Sequence, residues 1–198
     1  MNTAPARRAD LHRQTRETAI RIEVDLDGTG QAEIQTGLGF FDHMLTSFAR
    51  HSRTDLKLEC QGDLHIDDHH TIEDCGLALG GAIDQALGDR GGIRRVGYAY
   101  APLDESLVRA VLDLSGRGGG WIELPFRGSH LGAVATENLT HFFRSFAQAL
   151  RGTLHIDVVR HENDHHLAEA AFKAAALALR QACQRDGSSE IPSTKGVL

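Results

Sequence analysis

The sequence predicts an α+β protein built by internal duplication of a ββαβα half-domain, each half a small sheet backed by two helices. Three observations carry that prediction. The strand–strand–helix–strand–helix order read from hydrophobic periodicity runs once to about residue 92 and then begins again. The stretch Asp67-Asp68-His69-His70-Thr71-Ile72-Glu73 has an echo in Asn163-Asp164-His165-His166-Leu167-Ala168-Glu169, each setting two adjacent histidines ahead of a glutamate at a helix start. An upstream histidine keeps nearly the same separation from each pair, 26 residues from His43 to His69 and 24 from His141 to His165. Leu64-His65-Ile66-Asp67 also recurs, as Leu154-His155-Ile156-Asp157. The expected division is a flexible tail over 1–12, half-domains over 13–92 and 93–186, and a second tail over 187–198.

At 198 residues the chain can bury a proper core, as one large domain or two small fused ones. It is 41% hydrophobic and 24% charged, the composition of an ordinary soluble protein. No apolar run approaches the roughly 20 residues that span a bilayer, so no membrane partner is expected. Arg7 and Arg8 are followed by no apolar stretch, so no secretory signal is expected and the location reads as cytoplasmic. A net charge of −6 argues against nucleic acid as a partner. Cys60, Cys75 and Cys183 have no ligand-like spacing and read as small core residues in a reducing compartment.

Taken in order, Ile20, Ile22, Val24 and Leu26 alternate on one face and predict a strand within 16–27. Asp27-Gly28-Thr29-Gly30 reads as a hairpin turn into a second strand over 31–36. Gly37 and Gly39 break that strand. A helix follows over 40–51, apolar at Phe40, Phe41, Met44, Leu45 and Phe48 with His43 off-centre. Leu56, Leu58 and Cys60 alternate as a third strand, with Leu64-His65-Ile66 extending or following it. A long helix, capped by Asp67 or Asp68, buries Ile72, Cys75, Gly76, Leu79, Ile83 and Leu87 and ends at Gly88.

The Gly-rich, basic segment 89–95 connects the halves. Strands are then expected over 107–114 and 121–126, separated by Ser115-Gly116-Arg117-Gly118-Gly119. A helix over 136–151 is apolar at Leu139, Phe142, Phe143, Phe146 and Leu150, with His141 off-centre. A strand over 153–159 leads to a last, alanine-rich helix capped by Asn163 or Asp164.

On a helix, His70 and Glu73 share a face at i, i+3, and His69 and Glu73 share one at i, i+4. Adjacent histidines diverge by about 100°, so each helix offers ligands in two directions and two such helices can hold two ions. The ligand set is His43, His69, His70 and Glu73 from the first half, with His141, His165, His166 and Glu169 from the second. Imidazoles and carboxylates without thiolate suit six-coordinate Mn, Fe or a similar divalent ion better than a closed tetrahedral zinc site. A single His-x-x-Glu is a helix-face hydrogen bond by default; two copies with matched upstream histidines reverse that balance. The preferred pairing puts His70 with Glu73 and His166 with Glu169; His65 and His155 read by default as surface or core residues, with a place in strands behind the ligands as the alternative.

A second constellation is cationic. Arg94 and Arg95 follow a Gly-Gly pair, Arg117 sits among glycines, Lys173 lies one turn beyond Glu169, and Lys195 follows Pro192-Ser193-Thr194. Scattered basic residues are usually solvated surface, but arginine in a glycine turn can grip a phosphate.

The runs Gly37-Leu38-Gly39-Phe40-Phe41-Asp42-His43-Met44-Leu45, Gly62-Asp63-Leu64-His65-Ile66-Asp67-Asp68-His69-His70-Thr71-Ile72-Glu73-Asp74 and Asn163-Asp164-His165-His166 resemble the imidazoleglycerol-phosphate dehydratase family over nearly the whole chain. The resemblance implies a duplicated half-domain of the ribosomal protein S5 domain 2-like type. It also implies a homo-oligomer of twenty-four subunits (a 24-mer) and two Mn2+ ions per active site at subunit contacts. Position by position, the eight residues above match the family's metal ligands, and Arg95, Arg117, Lys173, Ser193 and Lys195 match its phosphate-binding positions. Glu17 matches a substrate-contacting glutamate, and 187–198 becomes a substrate-contacting tail. Two departures are His161, where the family has glycine, and the looser Gly118-Gly119-Gly120.

The implied reaction is dehydration of imidazole glycerol phosphate to imidazole acetol phosphate in histidine biosynthesis, by a hydro-lyase. The proton to be removed is not acidic, so the expected route runs through an imidazolate and a diazafulvene, with metals as Lewis acids. Glu17, Glu169, His69, His70 and His165 are expected at the reaction itself. Glu17 and Glu169 are the candidates for proton transfer, with Asp104 a distant third. Two rivals are a metal-storage or assembly protein, which needs no arginines, and a binuclear metallohydrolase, which needs a bridging carboxylate.

Overall fold

The computed structural model describes residues 6–198. The first half runs β1 (Arg8–Gln14), β2 (Thr18–Asp25), β3 (Ala32–Gln35), α1 (Gly39–Ser52), β4 (Asp55–Gly62) and α2 (His69–Leu87). The second runs β5 (Val96–Leu103), β6 (Ser106–Asp113), β7 (Gly119–Ile122), the short β8 (His130–Leu131) and β9 (Val134–Ala135), α3 (Thr136–Ala149), β10 (Thr153–Arg160) and α4 (Asp164–Ala182). The sheets have orders β1-β2-β4-β3 and β5-β6-β10-β7, the same topology twice. This is the duplicated α+β architecture the sequence predicts, with one additional strand opening each half.

Those two strands, β1 and β5, escaped the hydrophobic pattern because they are sheet edges. In β1 only Ala9 is buried. In β5 the pattern is inverted, because Gly97 and Ala101 face inward while Tyr98 and Tyr100 are exposed. Residues 8–12, expected within a mobile tail, are therefore structured from Arg8 onward; residues 1–5 lie outside the described residues.

The hairpin expected at Asp27-Gly28 does not form. Asp55 at the start of β4 accepts the backbone N–H groups of Thr29, Gly30 and Gln31 on one carboxylate oxygen, at 2.8, 2.9 and 2.8 Å. The chain is thereby carried past β4 to its far side, where β3 pairs with β4 in parallel and β2 pairs antiparallel. The second half repeats this, with β7 parallel to β10 and confined to Gly119–Ile122 rather than reaching residue 126. The Leu-His-Ile-Asp echo is also not structural: its first copy is a turn after β4, and its second lies inside β10. His65 is exposed in that turn, and His155 stacks on Trp121 on the outer sheet face, with ring centroids 5.0 Å apart. Neither stands behind the ligands.

The helices lie between the sheets and pack across the halves, α1 on α4 and α2 on α3. Phe41, Phe48, Phe142, Phe143, Phe146 and Phe172 fill the core between them. The α2–α3 approach is close because α2 presents glycine there. A Cβ on Gly80 would lie 2.4 Å from the Phe146 carbonyl oxygen, and one on Gly76 would lie 2.9 Å from that of Phe142. All three cysteines are buried and free, as expected of core residues.

Candidate functional site

Cross-half helix packing decides which histidine meets which glutamate. His43 on α1 faces α4, and His141 on α3 faces α2. The first cluster is His69, Glu73 and His141; the second is His43, His165 and Glu169. In each, one ligand atom per residue lies within 4.8 Å of the others. Glu73 Oε2 is 3.6 Å from His69 Nε2, and its Oε1 is 3.2 Å from His141 Nε2. Glu169 Oε2 is 3.6 Å from His165 Nε2 and 3.2 Å from His43 Nε2. The expected pairing is thus corrected: the i, i+4 histidine joins each glutamate, and the i, i+3 histidine turns away.

His70 and His166 point to separate acidic groups. His70 Nδ1 is 3.0 Å from Asp63 Oδ2, and its Nε2 is 3.7 Å from Glu17 Oε1. His166 Nδ1 is 2.8 Å from Glu105 Oε2, and its Nε2 is 4.0 Å from Asp104 Oδ2. The hydrogen bond to Asp63 raises the pKa of His70, and the bond to Glu105 raises that of His166. Glu105 is held down to about 2 by His166 and by the backbone N–H of Asn163. Burial pushes Glu169 up, but hydrogen bonds and charge from Lys173 and His43 outweigh it, leaving its carboxyl below the ordinary range.

Local structure aims these side chains. Asn163 caps α4 by accepting the N–H groups of His165 and His166, and Asp67 accepts that of His69 at 2.9 Å. A helix start pinned in this way fixes the direction of its first side chains. His141 Nε2 is buried and makes no hydrogen bond, although a carboxylate oxygen lies 3.2 Å off. Such an orphaned nitrogen costs about 1–3 kcal/mol unless something else satisfies it. A cation held among His69, Glu73 and His141 would do so, and the donor set fits one.

The cationic residues divide between two places. Lys173 Nζ is 2.7 Å from Glu169 Oε1, inside the second cluster. Arg95 lies with the C-terminal tail: it pairs with both oxygens of Asp113, at 2.7 and 3.1 Å, and donates to the Pro192 carbonyl at 2.8 Å. The Ser193 hydroxyl accepts the Lys195 N–H at 3.2 Å. The exposed Arg117 donates its backbone N–H to Ser115, beside the Gly116–Leu198 contact that returns the tail to this turn. Glu17 stands exposed at the β1–β2 turn, with His70 as its neighbour.

As site residues, sequence reasoning missed Asp63, Glu105 and Asn138, and it read Asp68 only as a helix cap. Glu105 occupies the β5–β6 turn just before buried Ser106, as Glu17 occupies the β1–β2 turn just before buried Thr18. Including the edge strands in the repeat would have found it.

A family profile described as Imidazoleglycerol-phosphate dehydratase matches residues 36–179. A Phytophthora nicotianae protein of that name is 55% identical over 97% of this chain, which spans 42% of that longer protein's length. One of the same name from a Cereibacter sphaeroides strain is 54% identical over 97% of this chain and 100% of its own. Among solved structures, the dehydratase from Staphylococcus aureus is 36% identical with a TM-score of 0.81, covering 90% of this chain and 99% of that one. The Pyrococcus furiosus counterpart is 36% identical with a TM-score of 0.83, covering 95% and 100%.

Proposed function

This chain belongs to the imidazoleglycerol-phosphate dehydratase family, hydro-lyases of histidine biosynthesis, and from that premise we propose that it dehydrates imidazole glycerol phosphate at a site holding two divalent cations, Mn2+ by preference. The observation that carries the reading is the pair of matched His–His–Glu clusters, one of them with the buried, unbonded Nε2 of His141. Imidazole and carboxylate donors without thiolate suit Mn2+ or Fe2+. Bound there, divalent cations supply Lewis acidity toward the nitrogens of the substrate's ring, making its N–H proton removable near neutral pH.

Once that proton is gone, the substrate's own ring can push out the C3 hydroxyl, which leaves with a proton as water. The diazafulvene that results loses its C2 proton, a proton returns to the ring, and the enol tautomerises to the ketone. Glu17 suits the proton transfer better than Glu169. Its carboxylate is exposed beside His70 Nε2, whereas Glu169 is engaged by Lys173 and His43. Asp104 holds the corresponding place beside His166. His69, His70 and His165 act at the reaction by holding the ring's surroundings in register. Arg95, Arg117, Ser193 and Lys195 grip the phosphate from the tail side and Lys173 from the cluster side, which positions the reacting carbon.

The clusters reach the chain's surface, with His43 and His165 exposed and His70 and His166 turned from the clusters their neighbours form. That supports completion of each site by a second copy, in a homo-oligomer up to the 24-mer. None of the helices among the described residues is long and apolar enough to cross a membrane. Metal analysis of purified protein, followed by incubation with imidazole glycerol phosphate and detection of an enolisable ketone, tests the reading. Ketone formation that survives complete chelation overturns it, and metal binding without turnover points instead to a storage or assembly protein.

A further inference from the structure

The two clusters share a frame but not their neighbours. Matching the helices by their ligating histidines, His141 to His43 and His165 to His69, puts Asn138, three residues before His141, where α1 has Phe40, three residues before His43. It puts Lys173, four residues after Glu169, where α2 has Leu77, four after Glu73.

These exchanges change the chemistry. Asn138 Oδ1 lies 3.0 Å from His69 Nδ1, and its amide donates to Asp68 Oδ1 at 2.9 Å. Asp68 is fixed in turn by the N–H of Ala135 at 2.7 Å, and both Asn138 and Asp68 are buried. This chain sets the ring of His69 and commits its Nδ1 proton, leaving Nε2 as a lone-pair donor. In the other cluster the ring of His165 meets the edge of Phe40, with centroids 5.2 Å apart, and Phe40 offers no acceptor. There Lys173 also occupies one oxygen of Glu169 and places a positive charge beside any ion.

Resting on the two-cation reading above, we propose that the clusters bind their ions unequally. His69, Glu73 and His141 form the tight seat, preorganised by the Asn138–Asp68 relay, and His43, His165 and Glu169 form the weak seat, opposed by Lys173. The physical grounds are two. Partners behind a ligating histidine orient it and raise its basicity, and losing them costs on the order of 10–100-fold in metal affinity. An ammonium on the shared carboxylate repels a divalent ion and must be displaced from the oxygen it holds.

The test is a titration of metal-free full-length protein with Mn2+, following the free ion by electron paramagnetic resonance. Wild type should show two classes of site. His141→Ala should abolish the tight class and His43→Ala the weak one. Asn138→Leu should weaken the tight class on the order of 10–100-fold and leave the weak class in place. Lys173→Met should tighten the weak class alone. Thermal melting of each metal-free variant separates a lost fold from a lost ligand, and the two histidine variants assign the classes even if Asn138→Leu does not fold. A single class in wild type, loss of the tight class in His43→Ala, or an unmoved tight class in folded Asn138→Leu overturns the proposal. Absence of any Mn2+ binding by wild type overturns the two-cation reading itself.

Discussion

His43 and Glu169 are 126 residues apart in the chain, yet His43 Nε2 lies 3.2 Å from Glu169 Oε2. Each glutamate thus takes one histidine from its own helix and one from the other half, so neither half alone makes a cluster of two histidines and a glutamate.

That pairing makes metal loss predictable by cluster. Glu73→Gln and His141→Ala should each cost the same one of the two ions, and Glu169→Gln and His43→Ala should each cost the other. Activity should fall with either. Within a cluster the second substitution should add little to the first, since both remove one shared interaction. Metal content per chain, measured alongside turnover, checks this; additive losses within a cluster would refute the pairing.

Glu17→Gln should retain both ions and lose about 10²–10⁴-fold in kcat, the usual contribution of a positioned acid–base group. Turnover in metal-replete protein decides the point. A variant that keeps its kcat removes Glu17 from the proton transfer.

Gly80→Ala should destabilise the fold by about 1–3 kcal/mol, because its Cβ would meet the α3 backbone rather than a side chain that can turn aside. At about 2–4 °C per kcal/mol for a chain of this size, thermal melting will show it readily. The same variant should weaken the His69, Glu73 and His141 cluster, which depends on the α2–α3 approach.

The Glu105–His166 pair sets a pH window for metal-free protein. His166 is raised, so its stabilising contribution is complete below the ordinary imidazole pKa near 6.5 and fades as pH rises through its folded value. Glu105 is lowered from 4.5 to about 2, so its contribution is complete above 4.5 and fades as pH falls toward 2. The stability difference between wild type and Glu105→Gln should therefore be widest between 4.5 and 6.5. Denaturant melts across pH test the window, and NMR of His166 should show its titration midpoint falling in the variant.

The doubled histidine pairs, the glutamate one turn on and the upstream histidines are all carried by local spacing, so the sequence alone determines the candidate ligands and the duplication. Helix geometry left both His69 and His70 within reach of Glu73, and local order could not choose between them. The tertiary structure chose: Asn138 on α3 holds His69 toward the partner helix, while Asp63 beyond β4 draws His70 away. The β1 and β5 edges were hidden because an edge strand buries little, and the parallel β3 because one carboxylate, Asp55, overrode a turn signal. Where the deciding contact joins residues far apart in the chain, as at His43 and Glu169, only the packed helices could supply it.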